Sequence, residues 1–285
     1  MDIHKIHITN FKIDGGAMFG VVPKALWQRK YPADEKNLCS WALRSILVDT
    51  GDRVILFDNG YGDKQDEKFF KHVYLHGGDG LKGALEKVGY SFDDVTDMVL
   101  THLHADHCGG GVKKCERGDG YEMVFKNATY WVSKKQWEWA MNANEQEKAA
   151  FLPENLLPMK ESGQLKFIDA DTELVPGIKL RLFDGHTEGQ IIPFIKQDNG
   201  ETLVFTADLI PSTAHIPLVW NMAYDVYPMK MIEEKKQFLN EAVKNDYVLF
   251  FQHDLYNECC RVHETAKGIR EQKVFTLESY LNANG

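Results

Sequence analysis

Apolar and polar residues alternate along several short stretches of the chain, and this pattern predicts a protein rich in β-strands. Residues 3–13 alternate in the way that is typical of a half-buried strand. Residues 41–48 and 53–57 form two further strand-like runs, and the turn residues 49–52 between them predict a hairpin.

Helical spacing is found in fewer places. Residues 81–88 and 134–148 have the spacing of helices, and residues 98–100 form a short apolar strand between them. Residues 151–161 contain two prolines and predict a surface loop. Residues 17–27 carry many apolar side chains and predict burial in the core, with a loop over the active site as the alternative.

The composition is that of an ordinary globular protein, with 44% hydrophobic and 26% charged residues in a chain of 285. No low-complexity linker or strong repeat interrupts the chain, so we expect a single domain over residues 1–285. The net charge of −9 argues against a nucleic-acid surface, because phosphate binding needs a clustered basic face.

Location and redox state follow from the same composition. The chain has no run of eighteen apolar residues and no apolar N-terminal core of signal-peptide length, so no membrane segment is expected. The five cysteines are an odd number without a C-x-x-C pair, which favours a reducing compartment. We therefore expect a cytoplasmic location.

The stretch with the strongest chemical signal is Thr101–Gly110, which reads T-H-L-H-A-D-H-C-G-G. Side chains alternate faces in an extended segment, so His102 and His104 point the same way and can bind one divalent metal. Asp106 and His107 come where the glycines would turn the chain, so they can reach a second metal. A solvated polar loop is the alternative, but four candidate ligands within six residues favour a metal site.

Three further candidate ligands follow apolar runs elsewhere in the chain. His186 comes after L-R-L-F-D-G, Asp208 after L-V-F-T-A, and His253 after Y-V-L-F-F-Q. Taken singly, each is an ordinary polar residue at the end of a strand. The aspartate suits a shared position, because the two oxygens of a carboxylate can bind two metal ions roughly 3.5–4 Å apart.

The motif H-x-H-x-D-H, followed by these three residues in this order, resembles the signature of the metallo-β-lactamase superfamily. The resemblance implies an α/β (α+β) fold, a four-layer αββα sandwich with a one- or two-metal site at its edge. The implied ligands are His102, His104 and His186 for the first metal, Asp106, His107 and His253 for the second, and Asp208 for both. It also implies that Asp58 braces the metal loop by accepting an N–H from a ligand histidine.

The implied ligand set predicts a hydrolase with two divalent ions, zinc in the first place, with manganese or iron as alternatives. A hydroxide that bridges the two ions would attack a small ester, lactone or phosphotriester. Because this hydroxide is the nucleophile, no serine or cysteine nucleophile is required. Asp106 or Asp208 would pass a proton to the leaving group.

Within the superfamily, the chain is most similar to the lactonase and methyl-parathion-hydrolase-like group, in length and in the sequence A-D-L-I-P at residues 207–211. Pro211 stands where the lactonases carry a tyrosine, and Gln190 stands where many members have another histidine. A glyoxalase-II-like thioesterase is the alternative enzyme, although the C-terminal tail is a weak match to its glutathione-binding region. A non-catalytic binding protein on the same fold is the remaining alternative, and the full ligand set argues against it.

An aromatic segment at residues 215–228 follows the implied bridging aspartate. Trp220, Met222 and Tyr224 would suit an apolar ester or an aryl leaving group. A dimer contact is an equally open explanation, because aromatic residues and Met are enriched at interfaces. His215 is expected to be a hydrogen-bonded neighbour and not a ligand. The expected partners are a small-molecule substrate and a second copy in a homodimer, with neither nucleic acid nor membrane.

Overall fold

The computed structural model describes residues 1–284, and side chains through residue 283. The chain divides into two compact units, each built from two separate segments. The first unit consists of Met1–Thr9 and Leu43–Ala170, and the second of Asn10–Ala42 and Asp171–Gly285. The single domain expected for residues 1–285 stays a prediction.

Strands and helices alternate along the chain. The strands are β1 (Asp2–Asp14), β2 (Leu38–Asp49), β3 (Val54–Phe57), β4 (Asp97–Val99), β5 (Val112–Lys114), β6 (Tyr121–Met123), β7 (Thr129–Ser133), β8 (Leu165–Ile168), β9 (Thr172–Val175), β10 (Ile178–Phe183), β11 (Gln190–Lys196), β12 (Thr202–Phe205), β13 (Val248–Phe250), β14 (Cys259–Thr265) and β15 (Gly268–Phe275). The α-helices are α1 (Gly15–Phe19), α2 (Lys24–Trp27), α3 (Glu67–Val73), α4 (Gly80–Glu86), α5 (Ala105–Cys108), α6 (Lys134–Met141), α7 (Pro153–Glu161), α8 (Pro228–Lys244) and α9 (Leu277–Asn284). Short 3-10 helices cover Gly109–Gly111 and Thr213–His215. None of the helices within residues 1–284 has both the length and the apolar character needed to cross a membrane.

A six-stranded sheet has the order β1-β2-β3-β4-β7-β8, and β5 pairs with β6 in a separate small sheet. The predicted hairpin is present, since β2 and β3 pair antiparallel with Ile46 opposite Phe57. Strands β3, β4, β7 and β8 run parallel to one another. The carboxyl ends of parallel strands lie at the same edge of a sheet, so Asp58 after β3 lies beside the loop that follows β4.

The second unit contains a seven-stranded sheet in the order β15-β14-β13-β12-β11-β10-β9. Strands β12 and β13 are parallel, while β11 is antiparallel to both β10 and β12. Strands β10, β12 and β13 therefore run in the same direction, and their carboxyl ends meet at one edge. His186, Asp208 and His253 follow these three ends.

The helix predicted for residues 134–148 is wrong beyond Met141, where α6 ends. Asparagine side chains account for the early end, because they bond the local backbone and so compete with helix formation. The Asn142 side chain donates to the Glu138 carbonyl, and the Asn144 side chain accepts from the backbone N–H groups of Gln146 and Glu147.

The loop predicted for residues 151–161 is also wrong, because Pro153–Glu161 forms α7. Pro153 occupies the first turn, where a missing N–H costs nothing. The buried side chains of Leu156 and Met159 hold the helix against the core in spite of Pro158.

Burial of residues 17–27 is confirmed for most of their apolar side chains. Phe19 and Trp27 are fully buried and stack with ring centroids 5.1 Å apart. Val21, in the turn between α1 and α2, and Leu26, in α2, are in contrast 93% and 49% exposed.

Candidate metal centre

The first unit presents its candidate ligands on the loop that follows β4. His102 and His107 are fully buried, and His104 is 8% exposed. Asp106 and His107 lie within the short helix α5. The prediction that the following glycines turn the chain at these two residues is therefore wrong. His102 Nε2 lies 3.0 Å from His104 Nδ1, and the rings of His102 and His107 lie 3.8 Å apart.

The opposite nitrogen of each of these rings bonds an oxygen of the same unit. His107 Nδ1 donates to Asp58 Oδ2 at 2.8 Å, which is the contact expected of Asp58. The Thr101 hydroxyl donates to Asp58 and lies 3.1 Å from His102 Nδ1, which can donate to it. His104 Nε2 donates to Glu147 Oε1 at 3.2 Å. Each ring is thus held with one nitrogen turned toward the other candidate ligands.

Glu147 is a functional candidate that the sequence analysis missed. It is 4% exposed, and its second oxygen, Oε2, accepts from Trp139 Nε1 at 2.6 Å and from Asn144 Nδ2 at 3.1 Å. No local pattern marks it, because it stands among the polar residues N-E-Q-E-K at positions 144–148.

The metal loop is fixed by close backbone contact with residues 58–60. Asn59 N donates to the His107 carbonyl at 2.9 Å, and Gly110 N donates to the Gly60 carbonyl at 2.8 Å. A Cβ on Gly110 would lie 2.1 Å from the Asn59 carbonyl oxygen, so this position requires glycine. Asp58 has a left-handed backbone with φ of 61°, a conformation that non-glycine residues adopt mainly where the surroundings impose it.

The second unit brings its three candidate ligands together around one carboxylate. Asp208 Oδ2 lies 3.1 Å from His186 Nε2, and Asp208 Oδ1 lies 3.1 Å from His253 Nε2. The opposite ring nitrogens again bond protein oxygens, since His186 Nδ1 meets Asp225 Oδ1 at 2.9 Å and His253 Nδ1 donates to the Ala42 carbonyl at 3.0 Å. Asp225 is a second residue that the sequence analysis missed.

The negative charges of Asp208 and Asp225 in the second unit favour a cation beside Asp208. Burial alone would lower the pKa of His186, but the carboxylates of Asp208 and Asp225 outweigh it and raise this pKa to about 10. His215 behaves as the expected hydrogen-bonded neighbour, because burial lowers its pKa to about 3 and its ring bonds Ser212 and the Met18 carbonyl.

The donors fit a divalent cation of the zinc type. Imidazole nitrogen and carboxylate oxygen are the preferred ligands, and neutral imidazoles held by a second acceptor are the usual form. Each of the seven predicted ligands belongs to a group of His and Asp side chains that could hold a metal ion. The structure thus supports a divalent metal site, while the metal's identity stays a prediction.

The predicted pocket residues have different surroundings. Trp220 and Met222 line a small cavity in the second unit together with Asp208 and Asp225. Tyr224 does not line this cavity and is 42% exposed.

Mixed sheets with groups of histidine and aspartate side chains at their strand ends are the features of a metal-binding α/β protein. The chain belongs to the metallo-β-lactamase superfamily, whose model matches residues 44–253 and so includes all seven predicted ligands. The predicted superfamily and fold type are confirmed, and the chain is a metal-dependent hydrolase.

Several relatives resemble the chain over most of its length. N-acyl homoserine lactonase AiiA of Bacillus thuringiensis subsp. kurstaki is 26% identical over 243 residues, covering 81% of this chain and 88% of the lactonase. A probable metal-dependent hydrolase from Staphylococcus aureus has a TM-score of 0.87 and 29% identity, with 97% of both chains covered. The dizinc quorum-quenching lactonase AidC, solved with a product, has a TM-score of 0.79 and 24% identity, with 96% of this chain and 95% of AidC covered. The likeness to AidC shows the fold alone.

Proposed function

We propose that the protein opens small lactones or cleaves small esters by metal-dependent hydrolysis, with phosphotriesters as a further substrate class. The arrangement of Asp208 carries the proposal, because its two oxygens face the Nε2 atoms of two different histidines. A carboxylate that serves two metal ions needs this arrangement. The relatives that are named as lactonases support a lactone as the first substrate to test.

We propose that two divalent ions are held by the seven residues named from the sequence. When bound, such ions lower the pKa of water toward neutrality and polarise a carbonyl oxygen. Zinc is the proposed metal, with manganese or iron as alternatives. The family resemblance supports this assignment, because the matched region contains all seven residues.

In this proposal some side chains hold the rings of the ligand histidines, and others transfer a proton to the leaving group. Asp58, Glu147 and Asp225 hold the rings of His107, His104 and His186. Asp106 is 20% exposed, so its carboxylate can exchange a proton with the leaving group and with solvent. Asp208 is the second candidate for this transfer.

The substrate is proposed to contact residues of the 215–228 segment, with Trp220, Met222 and Tyr224 beside its apolar part. A homodimer and a cytoplasmic location stay predictions. None of the five cysteines takes part in a disulfide within the described chain.

The test is metal content per chain together with turnover of four substrates: a lactone, an aryl ester, a thioester and an aryl phosphotriester. We expect close to two metal ions per chain and turnover of the lactone or the ester that chelation abolishes. His102→Ala should lose metal and turnover, while His72→Ala, which removes an exposed histidine, should keep both. Turnover of the thioester alone would favour the glyoxalase-II-like alternative. A chain that binds no metal and turns over none of the four substrates would contradict the proposal.

A further inference from the structure

Lys235 is a lysine buried within the apolar face of α8. The buried residues of this helix are Met231, Lys235, Phe238, Leu239 and Ala242. Lys235 is 1% exposed, whereas its neighbour Lys236 lies on the exposed face. Lysine is almost never fully buried unless specific partners satisfy its ammonium group.

The partners of Lys235 all lie on one short segment of the second unit. Its Nζ donates to the carbonyl oxygens of Pro217 at 3.2 Å, Leu218 at 3.4 Å and Trp220 at 3.1 Å, and to Asn221 Oδ1 at 3.1 Å. All four partners are neutral oxygens, so the ammonium group ties the backbone of residues 217–221 to α8. Burial lowers the pKa of Lys235 to about 7, which reflects how costly this desolvation is, although the Asp225 carboxylate acts in the opposite direction.

The segment held by Lys235 continues directly to the residue that orients His186. Met222 N donates to Asp225 Oδ2 at 2.9 Å, and Asp225 Oδ1 meets His186 Nδ1 at 2.9 Å. Val226 N then donates to the His186 carbonyl at 3.0 Å. A short run of chain therefore joins the lysine at one end to a candidate metal ligand at the other.

The same segment carries two of the residues assigned to substrate contact. Trp220 and Met222 line one cavity together with Asp208, Asp225 and Lys235. Trp220 also packs edge-on against Phe19, with ring centroids 5.9 Å apart. The position of this cavity wall depends on the backbone that Lys235 holds.

We propose that Lys235 is a positioning residue, which fixes residues 217–222 so that Asp225 is aimed at His186 and the side chains of Trp220 and Met222 keep their place beside Asp208. This inference rests on the proposed hydrolase function. Lys235 also matters to the fold, because removing it leaves the oxygens of residues 217–221 without their donor, and an unsatisfied buried acceptor lowers stability. Its role in the site is separated from its role in the fold by effects confined to amide exchange in residues 217–225, to zinc affinity and to KM.

The test compares Lys235→Met with Lys236→Met, the matched change on the exposed face of the same helix, in the full chain. We expect Lys235→Met to lower the thermal midpoint and to make amide hydrogen exchange faster in residues 217–225 than in the rest of the chain. We also expect its zinc affinity, measured against a competing chelator, to fall about tenfold and its KM to rise more than its kcat falls. Lys236→Met should match the wild-type chain in all of these.

Lys235→Gln keeps two N–H donors and should recover part of the zinc affinity. It takes the place of Lys235→Met if that variant does not fold. Unchanged exchange, zinc affinity and KM in the variant, with or without a lower midpoint, would overturn the proposal. A wild-type chain without turnover would contradict the hydrolase function instead, and exchange and zinc affinity would still test Lys235.

Discussion

Glu147 gives a direct test of how the first unit prepares His104 for a metal ion. Its Oε1 accepts from His104 Nε2, while its Oε2 accepts from Trp139 Nε1 and Asn144 Nδ2. Because both carboxylate oxygens accept, the proton of His104 stays on Nε2 and the lone pair stays on Nδ1. Nδ1 is the nitrogen that faces His102 at 3.0 Å, so it is the atom offered to a metal.

Glu147→Gln is expected to reverse this preference. An amide has one oxygen and one NH₂ group, so it cannot accept from all three donors. Trp139 and Asn144 both donate, so the oxygen should turn toward them and the NH₂ group toward His104. His104 Nε2 must then accept, which moves its proton to Nδ1. Changing a residue that orients a metal ligand lowers metal affinity about 10–100-fold, equivalent to roughly 1.4–2.8 kcal/mol.

The assay is zinc affinity of the full chain, measured by competition with a chromophoric chelator. Glu145→Gln is the matched control, because this glutamate is 89% exposed and two positions away. Histidine ¹⁵N shifts of the metal-free protein report which nitrogen of His104 carries the proton. Glu147→Gln that binds zinc as tightly as the control, with the proton still on Nε2, would refute the reasoning.

Three further predictions concern the fold around the site. Burial would raise the pKa of Asp97, but the hydrogen bond from Arg53 and its other bonds hold it below the ordinary value. The ionised Asp97 side chain therefore contributes its full stabilisation to the folded chain above pH ~4, which is the pKa of an unfolded aspartate. This contribution is lost as the pH falls through the lowered pKa of the folded state. Asp97→Asn should lower the free energy of unfolding, measured with urea, by about 2 kcal/mol at pH 7 and by progressively less in acid. An equal loss at all pH values would contradict this. Gly110→Ala should lower stability by about 1–3 kcal/mol, because the new Cβ meets the Asn59 carbonyl, and wild-type unfolding would contradict this. Chelation should lower the thermal midpoint, because an ion that binds only the folded chain stabilises it, and an unchanged midpoint would contradict a bound metal.

The predicted ligands could be found from the sequence because each stands at a position that local patterns reveal. His186, Asp208 and His253 follow strands that are buried and therefore read as short apolar runs. The pairing of these strands, which the sequence does not reveal, brings their carboxyl ends to one edge of the sheet. The ligand residues could therefore be predicted from local patterns, and the family resemblance implied which of them bind the same metal ion.

Apart from Asp58, the residues that act on the ligands could not be found in this way. Glu147 is 43 positions from His104, and Asp225 is 39 positions from His186. Neither follows an apolar run, and a glutamate or aspartate in a polar segment is ordinarily a solvated side chain. The role of Lys235 is harder still to find from the sequence, because a lysine on an amphipathic helix is expected on the exposed face. Only the tertiary structure shows that these three charged groups are buried.

The groups that hold the histidine rings also differ in charge, and this difference should grade the strength of the ligands. His104, His107 and His186 each bond a carboxylate, whereas His102 meets a hydroxyl and His253 a backbone carbonyl. A carboxylate raises the basicity of the imidazole that it holds more than a neutral oxygen does. Neutralising such a carboxylate should therefore weaken metal binding more than removing the hydroxyl that meets His102. The two kinds of acceptor give the chain a means of setting metal affinity without changing any ligand.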